Sequence, residues 1–454
     1  MLLKSFAETL SALTLLNNLP ADFLARIQHL TGGEYNAFLD ALNQSAPTSV
    51  RLHPFKKNSL FENEEKIPWC DEGRYLNKRP SFTFDPLFHS GCYYVQEASS
   101  MLLECVWKEI MPSGVSLRVL DMCAAPGGKS THLLSLLEGN GYLVANETVS
   151  NRNNVLRQNI IKWGYPNCLV TQNKPEDFSS LTEFFDVVLV DAPCSGEGLF
   201  RKDKDAIGEW SVQNVVMCAA RQKDILKHAI ASLKSGGFLI YSTCTYEQDE
   251  NDGSVASLPL NLIRLNKAPE GLLQTKFGYQ AYPHRIKGEG FYFSVMQKDG
   301  DFVPSGIINS SDSSSRKHKS LTEQWLKSSE KYTELKLNDL LFALPEGWIN
   351  EYGKLQSQLY IRHAGICLGE TRGKDFFPSH DLALSIEIKQ DLPCVELNYE
   401  DAILYLRGEA PRLKTDIRGW CLVKYESKNL GWIKVLENRI NNYYPKNSRI
   451  LKQT

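Results

Sequence analysis

The sequence predicts an α/β fold: an open parallel sheet with helices on both faces and smaller units at each end. Short β-rich runs, LRVLD, YLVAN, CLVT, FDVVLVD and FLIYS, follow one another from Leu117 onward. Between them HLLSLL, NNVLRQNIIKW and KDILKHAIASL carry apolar residues at helical spacing, and alternation of this kind builds a parallel sheet. A chain of 454 residues is also too long for one ordinary core; about 150 residues per domain suggests roughly three.

Taken in order, the chain opens with MLLKSFAETLSALTLLNNLP. Its apolar run is broken by Glu8, Ser11, Asn17 and Asn18, so it reads as an amphipathic helix and not as a signal peptide. Phe23, Leu24, Ile27 and Leu30 predict a further helix, and Tyr35 to Leu42 a second, ended by the polar NQSAPTS. The α/β region follows, and FYFSVMQK adds a late strand at 291–298. INSSDSSSRKHKS at 308–320 reads as a solvated linker. Beyond it QLYIRH, WCLVKYE and GWIKVLE are β-like.

Composition narrows the classes. With 42% apolar and 23% charged residues and no apolar run of membrane length, nothing is expected to cross a bilayer. Eleven cysteines without a CxxC pair argue against a disulfide framework or a zinc ribbon, and a reducing cytoplasm fits. A net charge of −2 says little about partners, since basic patches are local.

In open parallel sheets ligands bind beyond the carboxyl ends of the strands, and four such loops carry chemistry. The first, LDMCAAPGGKS, is a strand, a small-residue turn and a helix. Cys123, Ala124, Ala125, Pro126, Gly127, Gly128 and Lys129 form it, with a helix N-terminus free to bind a carboxylate. GGKST suggests a phosphate-binding loop, but Cys123 stands where the first glycine belongs and Pro126 removes a backbone donor. The second loop begins at Glu147, about twenty residues on, where an acid accepts hydrogen bonds from ribose hydroxyls. Together they imply an adenosine cofactor, and the turn lacks the G-x-G-x-x-G of a dinucleotide site. S-adenosylmethionine, with a carboxylate to place and no phosphate to hold, suits it better.

The third and fourth loops, VDAPCSGEG and YSTCT, each place a cysteine just past a strand, Cys194 beside Asp191 and Cys244. Singly, either cysteine reads as a small buried residue. Paired beside a cofactor loop, they suit thiolate addition at C6 of a pyrimidine, which makes C5 nucleophilic enough to take a methyl group.

These motifs, in this order, resemble the Nop/Sun family of RNA cytosine-C5 methyltransferases. PLFHSGCYYVQEASSMLL and YPHRIKGEGFYFSVMQK resemble the segments that open and close that family's sheet. ELNYEDAILYLRGE and NLGWIKVLENRINNYYPKN resemble the PUA-like RNA-binding module of its bacterial RsmF type, which acts on 16S ribosomal RNA. The resemblance implies a Rossmann-like S-adenosylmethionine-dependent methyltransferase sheet at 86–300. An accessory α+β RNA-positioning region at 1–85 precedes it. A linker at 301–325, an RsmF-like region at 326–390 and a PUA-like module at 391–454 follow.

It further implies that Cys244 attacks cytosine C6, that Cys194 aids product release and that Asp191 contacts the cytosine edge near the cofactor. Lys129 would lie near the target base, Glu147 at the ribose, and Arg152 near the cofactor. Many members have an aspartate after the third strand, where this chain has Asn173 and Lys174, with Asp177 further on; the adenine contact stays open. In residues 431–454, Lys434, Arg439, Lys446, Arg449 and Lys452 interleave with Trp432, Tyr443 and Tyr444, which suits phosphate contact and base stacking.

The resulting expectation is a monomeric, metal-independent enzyme methylating RNA, not DNA, most readily 16S ribosomal RNA. A transfer-RNA enzyme of the same chemistry, or an RNA-binding assembly factor without catalysis, stays open at this point.

Overall fold

The computed structural model describes residues 18–306, 321–337 and 339–452. The amphipathic helix expected at the N-terminus, apart from its last three residues, and the stretch INSSDSSSRKHKS lie outside them. Helices Ala21–Thr31 and Tyr35–Leu42 form where the apolar spacing predicts, with Phe23, Ile27 and Phe38 buried. They precede an antiparallel sheet of β1 (Thr48–Leu52), β2 (Glu65–Lys66), β3 (Gly73–Leu76) and β4 (Tyr93–Val95), in the order β2–β3–β1–β4.

The central sheet carries β5 (Leu117–Asp121), β6 (Gly141–Asn146), β7 (Cys168–Thr171), β8 (Phe185–Asp191) and β9 (Leu233–Thr243), all parallel. Val119, Leu120, Val187, Val188, Leu189 and Leu239 are wholly buried, as strands covered on both faces must be. The chain runs outward through β5, β6 and β7, then returns to lay β8 on the other side of β5. Strand order therefore reverses at β5, and the loops after β5 and β8 flank the crevice where such sheets bind ligands.

The sheet is not parallel throughout. β10 (Asn261–Leu262), β11 (Leu273–Gln274), β12 (Tyr279–Ala281) and β13 (Phe291–Gln297) extend it, β13 lying antiparallel to β9. After β14 (Tyr332–Leu337) and β15 (Leu340–Pro345), β16 (Ile361–Ala364) pairs antiparallel with β7. A segment from beyond the polar stretch thus covers an edge that would otherwise expose unpaired backbone groups.

β17 (Ile366–Arg372) and β18 (Asp375–Pro378) complete a sheet ordered β14–β15–β17–β18. The last sheet is β19 (Cys394–Glu396), β20 (Gly419–Tyr425), β21 (Lys428–Val435) and β22 (Ile440–Asn442). It corrects one expectation: Trp432 and Tyr444 are 1% and 3% exposed. They belong to the packed core: Trp432 sits in the run Leu430 to Ile433 of β21, buried on both faces, and Tyr444, just past the last strand, meets Tyr405 edge-on with centroids 5.4 Å apart. Only Tyr443 of the three aromatics keeps partial exposure.

The accessory region is locked to the catalytic sheet. Arg51 of β1 is 1% exposed; its Nη2 donates to Thr131 Oγ1 at 2.7 Å and its Nε to Gln96 Oε1 at 2.8 Å. Its guanidinium lies 4.5 Å from the Trp163 ring centroid. On the other side Arg26 pairs with Glu247, three residues past Cys244, while Phe38 meets Tyr246 edge-on with ring centroids 5.2 Å apart. The first two helices therefore back the cysteine loop.

Candidate active site

β8 and β9 end side by side, with Asp191 opposite Ser242 in the parallel register. Ser242 Oγ donates to Asp191 Oδ1 at 2.7 Å, and Lys129 Nζ pairs with Asp191 Oδ2 at 2.8 Å. The same ammonium lies 4.9 Å from the centroid of Phe291, on β13. Lys129 arrives from the first turn of helix Gly128–Leu136, which starts directly after the small-residue loop. Residues more than a hundred positions apart thus converge at the strand-order reversal.

The two thiols meet. Cys194 Sγ and Cys244 Sγ are 3.2 Å apart. The Cys194 thiol is pushed well up, first by this contact and then by burial. Either thiol can donate to the other across this contact.

Buried polar groups fix that separation. Ser195 Oγ and Thr245 Oγ1, each one residue past a cysteine, are 2.9 Å apart. Glu197 accepts from Thr245 Oγ1 and from the Tyr246 N–H, each at 2.9 Å, and from Trp210 Nε1 at 2.6 Å. Burial pushes its carboxyl up to about 8. Glu250 accepts from the Ser195 N–H at 3.1 Å and from Gln222 Nε2 at 2.7 Å. The Gly198 N–H donates to Cys244 O at 2.8 Å, and a Cβ at Gly198 would come within 2.4 Å of Gly290 O. Only glycine permits that approach.

The cofactor-loop candidates also come together. Ala124 and Ala125 are buried, the Ala124 N–H donates to Asn146 O at 2.8 Å, and Gly127 takes φ +111°. Arg152 Nη2 donates to Ala125 O at 3.0 Å and its Nη1 lies 3.3 Å from Glu147 Oε2, so Arg152 ties the second loop to the first. Glu147 Oε1 accepts from the Val149 N–H at 2.8 Å. Cys123 is the loop's one thiol, and burial pushes its pKa well up, so it stays protonated. Asp177 accepts from the Lys174 N–H at 3.0 Å as a local cap. Asn173 Oδ1 accepts from the Tyr360 N–H at 3.0 Å, next to β16. Asn173 Oδ1 is thus engaged by the backbone next to β16, while Asp177 stays exposed.

Sequence reasoning missed Ser242, Glu197, Glu250 and Asp121. Asp121 ends β5 and is wholly buried. Its Oδ2 accepts from Ser130 Oγ at 2.7 Å while Oδ1 has no partner among the described residues. Burial, with the Asp191 charge adding to it, pushes this carboxyl up to about 7. In the unfolded chain the proton leaves near pH ~3.9. Asp121 therefore contributes its full stability below that value and loses it as the pH rises through about 7. Asp121→Asn is expected to gain on the wild type by about 2–4 kcal/mol between pH ~4 and ~7.5. Urea midpoints of the two proteins across that range measure it; a constant difference would show that Asp121 titrates normally.

A doubly wound sheet with a small-residue turn after its first strand, an acid ending the second and chemistry after the fourth and fifth defines a Rossmann-like methyltransferase. Comparison with known proteins agrees. Residues 19–98 match the N-terminal domain of 16S rRNA methyltransferase RsmF. Residues 111–297 match the 16S rRNA methyltransferase RsmB/F family, and residues 392–450 the methyltransferase RsmF PUA domain. Ribosomal RNA small subunit methyltransferase F of Aliivibrio fischeri is 30% identical over 464 residues, spanning 94% of this chain and 97% of its own. That of Shewanella loihica is 31% identical over 409 residues, 84% of this chain and 83% of its own.

Among solved structures, a methyltransferase homologue from Pyrococcus horikoshii superposes with a TM-score of 0.54 at 26% identity, over 64% of this chain and 99% of its own. NSun6 from the same organism, solved with SFG, gives 0.53 at 20% identity, over 62% and 99%; that likeness shows the fold. The chain belongs to the ribosomal RNA small subunit methyltransferase F family.

Proposed function

We propose that the protein transfers a methyl group from S-adenosylmethionine to C5 of a cytosine in 16S ribosomal RNA, through a covalent bond between Cys244 and cytosine C6. The observation that carries this reading is the 3.2 Å approach of the Cys194 and Cys244 sulfurs beside the Lys129–Asp191 pair at the strand-order reversal.

The residues present fit the cofactor. The loop from Cys123 to Gly128 gives small side chains and the start of a helix whose free N–H groups suit a carboxylate. Glu147, with Arg152 holding it against that loop, offers an acidic edge to ribose hydroxyls. When bound, S-adenosylmethionine supplies an electrophilic methyl group.

The chain's own groups do the rest. Cys244, as thiolate, adds to C6 and shifts the C5–C6 electron pair to C5, which becomes the nucleophile. Asp191, oriented by Ser242 and Lys129, accepts a hydrogen bond from the cytosine edge and holds the ring. Once C5 carries the methyl group its hydrogen leaves as a proton taken up by water. The C6–S bond breaks, its electrons return to sulfur, and the double bond reforms. Cys194, beside that sulfur, assists this elimination. The target base must leave its stack to reach either thiol.

Single-nucleotide bisulfite sequencing of total ribosomal and transfer RNA, from cells with and without the gene, tests the proposal. Loss of a methylated cytosine in 16S RNA is expected. Loss confined to transfer RNA would overturn the substrate, and no change anywhere would overturn the activity.

A further inference from the structure

A cleft of about 420 Å³ lies where the β17–β18 hairpin meets the last sheet, lined by Trp325, Phe376, Trp420, Trp432, Lys374 and Lys434 among others. Its aromatic walls are fixed. Trp420 Nε1 donates to Phe376 O at 3.0 Å and Trp432 Nε1 to Ser379 O at 2.7 Å. Trp325 meets Trp432 edge-on with centroids 5.3 Å apart. The Trp325 indole N–H is covered and has no acceptor among the described residues.

Two cations complete the cleft. Lys434 Nζ lies 5.4 Å from the Trp420 ring centroid and 5.2 Å from that of Phe377, and Lys374 is exposed at the hairpin. The one acidic side chain among the lining residues, Asp375, is 70% exposed and 3.9 Å from Lys434, a distance at which surface pairing contributes little. The volume falls within the range that small-ligand sites occupy, about 300–1,000 Å³.

We infer that this cleft seats one unpaired nucleotide of the RNA substrate, its base against the Trp420 and Phe376 rings and its phosphate on Lys374 and Lys434. The inference rests on the RNA-modifying reading above and adds to it a second RNA-binding site, built from the middle region and the C-terminal module together. Aromatic faces accept any base, and lysines accept the backbone, so the site holds single-stranded RNA without reading its sequence. A duplex, whose bases hide their faces, does not fit it.

The test uses the full chain, with a fluorescein-labelled unstructured RNA decamer and a blunt duplex of the same length as probes. Lys374→Ala with Lys434→Ala is expected to weaken decamer binding about tenfold and to lower the salt slope by about 1.4, which is ~0.7 for each phosphate that a lysine no longer neutralises. Trp420→Ala is expected to weaken it about tenfold, and Trp420→Phe to retain most of the affinity. Unchanged decamer affinity in the double lysine variant, with S-adenosylmethionine binding intact, overturns the inference; so does an equal loss for decamer and duplex in the Trp420→Ala protein. Wild-type protein that binds the decamer through these residues yet methylates no RNA would instead overturn the catalytic reading.

Discussion

Cys244→Ala is expected to stop methyl transfer, lowering the rate by about four orders of magnitude or more, as removal of a covalent nucleophile does, while S-adenosylmethionine still binds. Without addition at C6, C5 of cytosine has no electron density to offer a sulfonium methyl group, and the neighbouring thiol does not stand in. Cys194 sits 3.2 Å away; the substitution removes the Cys244 contact that is the first cause of its raised thiol, but burial still holds that thiol up. The loop itself should survive the change. Besides the sulfur contact, its hold on the neighbouring loop runs through Cys244 O, Thr245 Oγ1 and the Tyr246 N–H, which the substitution leaves in place. Isothermal titration with S-adenosylmethionine and a tritium-transfer assay on small-subunit RNA separate binding from catalysis. Turnover at the wild-type rate would remove Cys244 from the mechanism.

Cys194→Ala is expected to leave addition possible and to stall release, so that protein accumulates on RNA in a complex that survives denaturation. The expected yield is a large fraction of the enzyme under single-turnover conditions, against little with the wild type. A shifted band on a denaturing gel, removed by nuclease, measures it. The same band with Cys244→Ala in place of Cys194→Ala would mean that the two thiols exchange roles.

The motifs lie at strand ends in the sequence, and the structure puts them at neighbouring strand ends. β5, β7 and β8 match the apolar runs LRVLD, CLVT and FDVVLVD residue for residue, because buried parallel strands have little freedom but to be continuously apolar. What holds the thiols in place was not legible. Glu197 reads as part of a small-residue turn and Glu250 as one of several acids in YEQDEND; only folding brings them to Thr245 and Ser195. The pairing of β16 with β7 joins residues some 190 positions apart, and no local pattern in QLYIRH announces it. The aromatic residues near the C-terminus misled for a related reason. Composition cannot tell which face of a strand points inward, and Trp432 is buried behind the cleft wall where Trp420, on the neighbouring strand, keeps partial exposure.

The most direct measurement is peptide mapping of the trapped complex. Cys194→Ala protein is incubated with 16S RNA and S-adenosylmethionine, digested with nuclease and trypsin, and read by mass spectrometry. A methylated cytidine nucleotide attached to the peptide containing Cys244 is the predicted result. Attachment at any other cysteine, or the absence of any RNA-linked peptide while methylation proceeds, would contradict the covalent mechanism.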